Sequence, residues 1–202
     1  MIIRATIGGF FFFGNVYLRA MGESPRELVK QFKPALRFLG VFLAVYLVGN
    51  TLYGVWIQHL NPAADPITQV VSRHSASLIS YLIEPVEAVV NTNGPTVFLQ
   101  QAGDTQLNVY EGCNGVNVTI VFFAFVLAFG GSFARALWFV PLGLVLIHAA
   151  NLARVILLYW VVTSFPNYFY YVHKYLFTAS LYVGVLALWW WWVQLNRAPR
   201  GS

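Results

Sequence analysis

Long apolar runs separated by short polar segments are the main pattern along the chain. The first run, Leu36 to Ile57, carries no charge after Arg37. As a helix it is long enough to cross the roughly 30 Å hydrocarbon layer of a bilayer. Three later runs have the same character: about Val116 to Phe129, Ala136 toward Trp160, and about Tyr175 to Leu195. The pattern predicts an all-α integral membrane helical bundle with about four transmembrane helices.

The residues before the first run form a separate segment. Residues 5 to 18 are apolar but short and interrupted by glycines, with an arginine at each end. They are therefore expected to be interfacial or to form a weak fifth span. We expect one membrane-embedded domain, 36 to 196, preceded by a cytoplasmic or interfacial segment, 1 to 35, and followed by a tail, 197 to 202.

The only sizeable polar stretch, residues 58 to 112, contains five acidic residues and a single basic one. Within it, Asp65 to Leu82 places apolar residues at helical spacing after a proline in the first turn, which predicts an amphipathic helix on the membrane surface. Thr96 to Leu99 and Gln106 to Tyr110, separated by Gly103-Asp104, predict a short hairpin.

Composition and charge support a membrane location. With 58% apolar and 9% charged residues, the chain has too little polar surface for a soluble domain of 202 residues. The net charge of +5 does not indicate nucleic-acid binding, because the basic residues are scattered between apolar runs and form no patch.

The basic residues also predict the orientation of the bundle. With both termini cytoplasmic, most of the twelve Lys and Arg residues lie inside, as the positive-inside rule requires: Arg4, Arg19, Arg26, Lys30, Lys33, Arg37, Arg135, Arg197 and Arg200. A helix from Cys113 to Arg135 covers about 33 Å, so these two residues lie at opposite membrane faces. Cys113, Arg154 and His173 then share the extracytoplasmic face.

Cys113 is the only cysteine, so it forms no internal disulfide. It lies in the sequence EGCNG, where Gly112 and Gly115 let a substrate backbone approach closely. An apolar helix begins directly afterwards, and the positive end of a helix dipole favours the thiolate needed for nucleophilic attack. The alternative is a small apolar filler. The polar, glycine-rich surroundings favour a nucleophile.

Arg154 is a charge within an otherwise apolar stretch, which is costly unless it faces a polar cavity or reaches the headgroups. It is either a snorkelling interface residue or a site residue that holds an oxyanion or a substrate carboxylate. Asn151 precedes it by three residues and is expected on the same helix face.

Four histidines compete for the role of acid and base. His173 follows an aromatic loop, SFPNYFYY, at the outer start of the last span and is the preferred partner of Cys113. His148 is expected to line the same cavity as a buried hydrogen-bonding group, whereas His59 and His74 are expected to be solvated. The dispersed histidines and single cysteine lack zinc-ligand spacing, so we predict no metal.

In their order and common membrane side, these residues resemble the exosortase/archaeosortase family of membrane-embedded cysteine transpeptidases. The resemblance covers about residues 36 to 195, and EGCNG is similar to the exosortase F-type branch. The matching elements are Cys113-Asn114-Gly115, Asn151-Leu152-Ala153-Arg154, and His173 before the last helix.

The resemblance implies an enzyme of the bacterial inner membrane, among membrane lipids, that cleaves C-terminal sorting signals of exported proteins without a cofactor. Cys113 would be the nucleophile, His173 the acid and base, and Arg154 the transition-state stabiliser. Asn114 stands where the family usually has Ser or Ala, which leaves the recognised signal open.

The sequence also leaves alternatives. A non-enzymatic membrane assembly factor or carrier would not depend on the thiol. A membrane acyltransferase acting on lipids would depend on it, but the outer hairpin suits an extended peptide at least as well. The acceptor of the cleaved chain, whether glycan, lipid or water, and the oligomeric state stay open.

Overall fold

A computed structural model describes residues 25–197 of the chain. The expected weak span at residues 5 to 18 lies outside this range. The described residues belong to two units, one ending at Gly40 and the other beginning at Val41.

The described chain contains five long helices and one small sheet. We label the helices α1 to α5: Pro25–Gln58, Pro66–Leu82, Val116–Phe129, Phe133–Ser164 and Phe177–Asn196. By length and apolar composition, three helical segments can cross a membrane: Lys30–Gln58, Phe133–Ser164 and Pro166–Asn196. The protein is therefore an all-α membrane helical bundle, as the sequence predicted.

Helix α3 has the bounds that the sequence predicted, Val116–Phe129. The distance expected from Cys113 to Arg135 assumed one continuous helix, but α3 has 14 residues, about 21 Å, and is too short to cross a bilayer by itself. Gly130 and Gly131 end it with φ values of +73° and +134°, which residues with a Cβ rarely adopt. The predicted 33 Å span is thus wrong.

Helix α2 begins where the polar stretch predicted a helix. The buried carboxylate of Asp65 caps it by accepting hydrogen bonds from the backbone N–H groups of Ile67 at 2.8 Å and Thr68 at 3.1 Å. One face of α2 is buried and includes Thr68, Val71, Ser72, Ser75, Ala76 and Ile79. The amphipathic helix is confirmed; its location on the membrane surface stays a prediction.

The sheet has three antiparallel strands where the sequence predicted a two-stranded hairpin. They are β1 Glu87–Val90, β2 Thr96–Gln101 and β3 Asp104–Tyr110, in the order β1-β2-β3. The β2–β3 turn is formed by Ala102 and Gly103, with φ values of 51° and 90°, one residue earlier than predicted. Strand β1 was missed because four residues are too few to show an alternating pattern.

The aromatic segment before the last span is helical and is not the loop predicted from its proline. A 3₁₀ turn at Pro166–Tyr168 leads through Phe169–Tyr171 into a π-helical turn, Val172–Leu176, which continues into α5. Pro166 occupies the first turn, where the missing N–H has no helical partner to lose. His173 therefore lies on a helix.

Two buried clusters form the core. One surrounds Cys113 and joins α2, the sheet and the C-terminal half of α4: Val71, Ala76, Ile79, Val86, Leu99, Leu107, Val109, Val155, Leu158 and Tyr159. The other joins α3, α4 and α5: Val118, Phe122, Val126, Phe139, Ile147, Leu181, Val185, Leu188 and Trp192. Cys113 thus belongs to the cluster that holds the sheet to α2 and α4.

Gly143 of α4 provides a test of the second cluster. A Cβ at this position would collide with the ring of Phe122, which is fully buried and packed against Phe139. We expect Gly143→Ala to lower the free energy of unfolding by about 1–3 kcal/mol through overpacking. The melting temperature of the detergent-solubilised protein measures this.

Gly184→Ala in α5 is the matched control, because a Cβ there has no heavy atom within 4 Å. Alanine is the better helix former by up to about 1 kcal/mol, so this variant should melt at the same or a higher temperature. Equal melting temperatures for the two variants would show that α3 and α4 do not pack as closely as described.

Candidate active site

Cys113 ends a 3₁₀ turn, Glu111–Cys113, that connects β3 to α3. Its side chain is 4% exposed. Gly115, the N-cap of α3, has a φ of +81°, and a Cβ there would lie 3.3 Å from Cγ of Asn151. Both the backbone conformation and the close approach of α4 therefore require glycine at this position.

Asn151 and Arg154 of α4 contact the backbone and the side chain of Cys113, respectively. The side-chain amide of Asn151 donates a hydrogen bond of 2.9 Å to the backbone carbonyl of Cys113. Nη2 of Arg154 lies 3.3 Å from Sγ of Cys113. Residues three apart on a helix share a face, so the Asn-x-x-Arg spacing brings both groups to the cysteine.

Two polar atoms beside Cys113 are buried and have no hydrogen-bond partner among residues 25–197. They are the side-chain carbonyl oxygen of Asn151 and Nε of Arg154. Buried polar groups in proteins are nearly always paired, so such exceptions mark places where a ligand or water can bind. Arg154 thus has one nitrogen on the sulfur and another that is buried without a hydrogen-bond partner within that range.

A cavity of about 340 Å³ opens beside the thiol. Its walls are formed by β3, the C-terminal part of α4 and the helical segment after Pro166: Thr105, Gln106, Leu107, Asn108, Val109, Tyr110, Cys113, Val155, Leu158, Val162, Phe169 and His173. The His173 ring is stacked on Phe169, with the ring centroids 5.6 Å apart. Cys113 and His173, far apart in sequence, therefore line one cavity.

Asn114 is the centre of a buried hydrogen-bond network behind the thiol. Its amide nitrogen lies 2.6 Å from the hydroxyl of Tyr53, 3.0 Å from that of Thr68 and 3.3 Å from Oδ2 of Asp65. Its amide oxygen accepts from the backbone N–H of Val116 at 3.0 Å. The network ties the cysteine turn to α1, α2 and α3 together.

Two ionisable side chains before Cys113, Tyr110 and Glu111, have raised pKa values. Negative charge on the Cys113 sulfur is the main cause that raises the pKa of the Tyr110 phenol, and burial adds to it. Burial, with a smaller contribution from the Asp65 carboxylate, raises the pKa of Glu111. Gly112 is exposed, and a Cβ there would collide with the Tyr110 ring.

The structure does not bring His148 to the cavity of Cys113. Its Nε2 lies 3.2 Å from Nδ1 of His74, which is exposed as expected. This pair links α2 to α4. Within residues 25–197, no three His, Cys, Asp or Glu side chains are grouped as metal ligands would be.

Sequence reasoning missed Tyr110 and the partners of Asn114. Asp65-Pro66-x-Thr68 is a helix N-terminus pattern, but nothing in it shows that the capping carboxylate also contacts a residue 49 positions later. Tyr110 directly precedes EGC, and its position next to the thiol was the available signal. Long-range side-chain contacts of this kind depend on the packing of separate helices.

The helical bundle and its buried polar site define an integral membrane protein with a cavity that a thiol and an imidazole line. The family model described as transmembrane exosortase matches residues 10–191. The chain therefore belongs to the transmembrane exosortase family, whose members are membrane-embedded sorting transpeptidases. No curated protein and no solved structure matches it. The resemblance found in the sequence is confirmed at family level, and the F-type branch stays a prediction.

Asn114→Asp tests the buried network. The substitution exchanges a donor for a second carboxylate beside Asp65, so we expect a loss of at least about 1–3 kcal/mol of stability at pH 8. Repulsion raises the pKa of the new carboxyl, so the folded state binds its proton more tightly than the unfolded state. The loss should therefore shrink as the pH falls toward 5.

Asn117→Asp is the control, because Asn117 is exposed in the first turn of α3, where a negative charge is favourable. Melting temperatures of both variants and the wild type at pH 5 and pH 8 give the comparison. A destabilisation of Asn114→Asp that does not change with pH would contradict the proximity of its side chain to Asp65.

Proposed function

We propose that this exosortase is a cysteine transpeptidase that cleaves C-terminal sorting signals of exported proteins through a thioester. The observation that carries the proposal is the contact between the Arg154 guanidinium and the Cys113 sulfur at the wall of a cavity that His173 also lines. A guanidinium is a permanent cation with donors only, so it favours negative charge on the sulfur that it contacts.

In the first step, Sγ of Cys113 attacks the carbonyl carbon of a substrate peptide bond. The carbonyl oxygen becomes an oxyanion, and the guanidinium of Arg154, whose Nε–H has no hydrogen-bond partner among residues 25–197, is the donor proposed to stabilise it. Collapse of this intermediate breaks the C–N bond and leaves a thioester on Cys113. His173 takes the thiol proton of Cys113 as the sulfur attacks and then gives it to the leaving amine.

In the second step, an amine or water attacks the thioester carbonyl. The imidazole of His173 takes the proton of the nucleophile, and the sulfur leaves as the thiolate beside Arg154. The products are the transferred or hydrolysed chain and the starting enzyme. The same three side chains thus serve both halves of the reaction, whichever acceptor is used.

Asn151, Asn114, Gly112 and Gly115 support these groups. Asn151 fixes the backbone carbonyl of Cys113. Asn114, the next residue, is itself anchored to α1 and α2. A nucleophile must be held within a fraction of an ångström of its attack position, so these two anchors of the backbone at the thiol contribute directly to rate. His148 supports the packing of α2 on α4.

We place the enzyme in the bacterial inner membrane, with both termini cytoplasmic and the cavity on the extracytoplasmic side. The supporting observation is the charge distribution along the sequence, because Arg135 and Arg197 lie at the ends of helices opposite to Cys113. Exported proteins reach that side, which matches a substrate presented after translocation.

Cys113→Ala tests the nucleophile. We expect processing of an exported substrate in cells to stop while the variant is still inserted at the wild-type level, because a methyl group is smaller than the thiol and makes no clash. Cys113→Ser should also fail to cleave the substrate, since the hydroxyl is a far weaker nucleophile at neutral pH. The measurement is the electrophoretic shift of the substrate.

A matched enzyme control is provided by Val71→Ala, which changes a buried residue of the same cluster outside the cavity wall and keeps the thiol. Unchanged processing by Cys113→Ala would sink the nucleophile proposal and favour the non-enzymatic assembly factor or carrier. A Cys113-dependent change confined to lipids would favour the acyltransferase.

Arg154→Lys tests the guanidinium. An ammonium keeps the charge but lacks the planar arrangement of donors, so it cannot contact the sulfur and present a second N–H to the oxyanion at once. We expect a loss of about 100-fold in turnover with the fold retained. Rates of substrate processing by purified enzyme give the comparison.

Arg73→Lys is the control, because Arg73 is an exposed arginine of α2. It should keep full activity. Wild-type turnover by Arg154→Lys would contradict the two-donor role and leave only a simple charge effect at this position.

A further inference from the structure

Strand β3 is an edge strand whose free side faces the cavity. The sheet order is β1-β2-β3, and within residues 25–197 no further strand pairs with β3. All residues from 105 to 110 line the cavity that contains Cys113. A free strand edge presents unpaired backbone N–H and C=O groups, which are a template for another extended chain.

The alternation of an antiparallel ladder shows which backbone groups point to the cavity. The carbonyl of Thr96 accepts from the N–H of Asn91 at 3.0 Å, so it points toward β1 and away from β3. Thr96 is paired with Tyr110, and two positions along the strands Phe98 is paired with Asn108. Both are therefore non-hydrogen-bonded pairs of the β2–β3 ladder. The N–H of Tyr110 and both backbone groups of Asn108 point outward.

The wall opposite this edge is apolar. Val155, Leu158 and Val162 lie along the C-terminal part of α4, and Phe169 continues the wall toward His173. The space between them and β3 is therefore a slot with polar backbone on one side and aliphatic side chains on the other. An extended peptide has the matching surfaces: backbone groups at its edges and side chains on its two faces.

The slot leads directly to the nucleophile. Cys113 follows the last residue of β3 by three positions and lines the same cavity. A chain paired with Asn108 and Tyr110 would therefore have its next backbone carbonyl at the thiol. The length of the free edge, six residues, suits a short recognition segment.

We propose that the substrate docks as a fourth strand on the free edge of β3, so that main-chain hydrogen bonds to Asn108 and Tyr110 bring the scissile carbonyl to Cys113. This deepens the proposed function and rests on it. Strand addition supplies affinity through the backbone, and the apolar wall selects alternate side chains. The occupant is an extended polypeptide.

A peptide scan tests the docking mode without knowledge of the natural signal. The probe is a mixture of randomised peptides with a central α-ketoamide and four residues on each side. The Cys113 sulfur adds to the ketone carbon and the proton goes to the ketone oxygen, so a bound probe protects Cys113 from alkylation by iodoacetamide. In each probe set, one backbone nitrogen is methylated.

Strand pairing uses every second N–H of the added chain. We expect N-methylation to weaken protection about 3- to 10-fold at alternate positions and to have little effect at the positions between them. Alternation before the ketone means that the substrate is parallel to β3, and alternation after it means antiparallel. Protection with no alternation on either side overturns strand addition, as does the absence of protection.

A protein variant provides the second arm. Asn108→Pro removes an outward N–H and leaves the β2 ladder intact, since proline is tolerated on a free edge. Asn108→Ala is the matched control that keeps the N–H. We expect protection by the unmethylated probe to fall about 3- to 10-fold in Asn108→Pro only, with equal alkylation rates in both variants without probe. Equal protection in the two variants contradicts the proposal.

These outcomes are separate from those for the proposed function. If Cys113 is required for processing in cells but the scan shows no alternation, the enzyme stands and its substrate binds in another way. If Cys113→Ala leaves processing unchanged, the peptide has no reaction to be positioned for, and the docking proposal fails with it.

Discussion

An arginine inside an apolar helix is the constraint on which the site depends. A charge at the depth of Arg154 is costly unless other groups compensate it, and in this structure its guanidinium contacts the Cys113 sulfur. Asn151, one turn earlier, fixes the backbone at the same point. The chain between β3 and α3 must therefore approach α4 closely, and Gly115 with its positive φ permits this approach.

The short helix α3 also depends on contacts with its neighbours. A helix of 14 residues between Gly115 and Gly130 cannot span a bilayer alone, so its first turn and the cysteine turn need support from neighbouring elements. Asn114 supplies that support by bonding to Tyr53 and to the capped start of α2. The buried side chains of Asn114, Asp65 and Thr68 are paired with one another, which makes this network specific for one arrangement.

Much of this organisation was predictable from local patterns, and the rest was not. Apolar runs gave the helices, and the Asn-x-x-Arg spacing placed Asn151 and Arg154 on one face, because both signals depend on residues close in sequence. Strand β1, the helical form of the aromatic segment and the pairing of His148 with His74 depend on contacts between distant elements. Periodicity carries no information about such contacts, so these features were missed or misplaced.

Strand β3 combines two tasks that many enzymes divide between separate elements. Its inward side chains, Leu107 and Val109, hold the sheet against α4, and its end delivers Cys113. Its free edge remains available because inward side chains and edge backbone groups point in perpendicular directions. Recognition through that edge would read the extended conformation of a substrate more than its side chains.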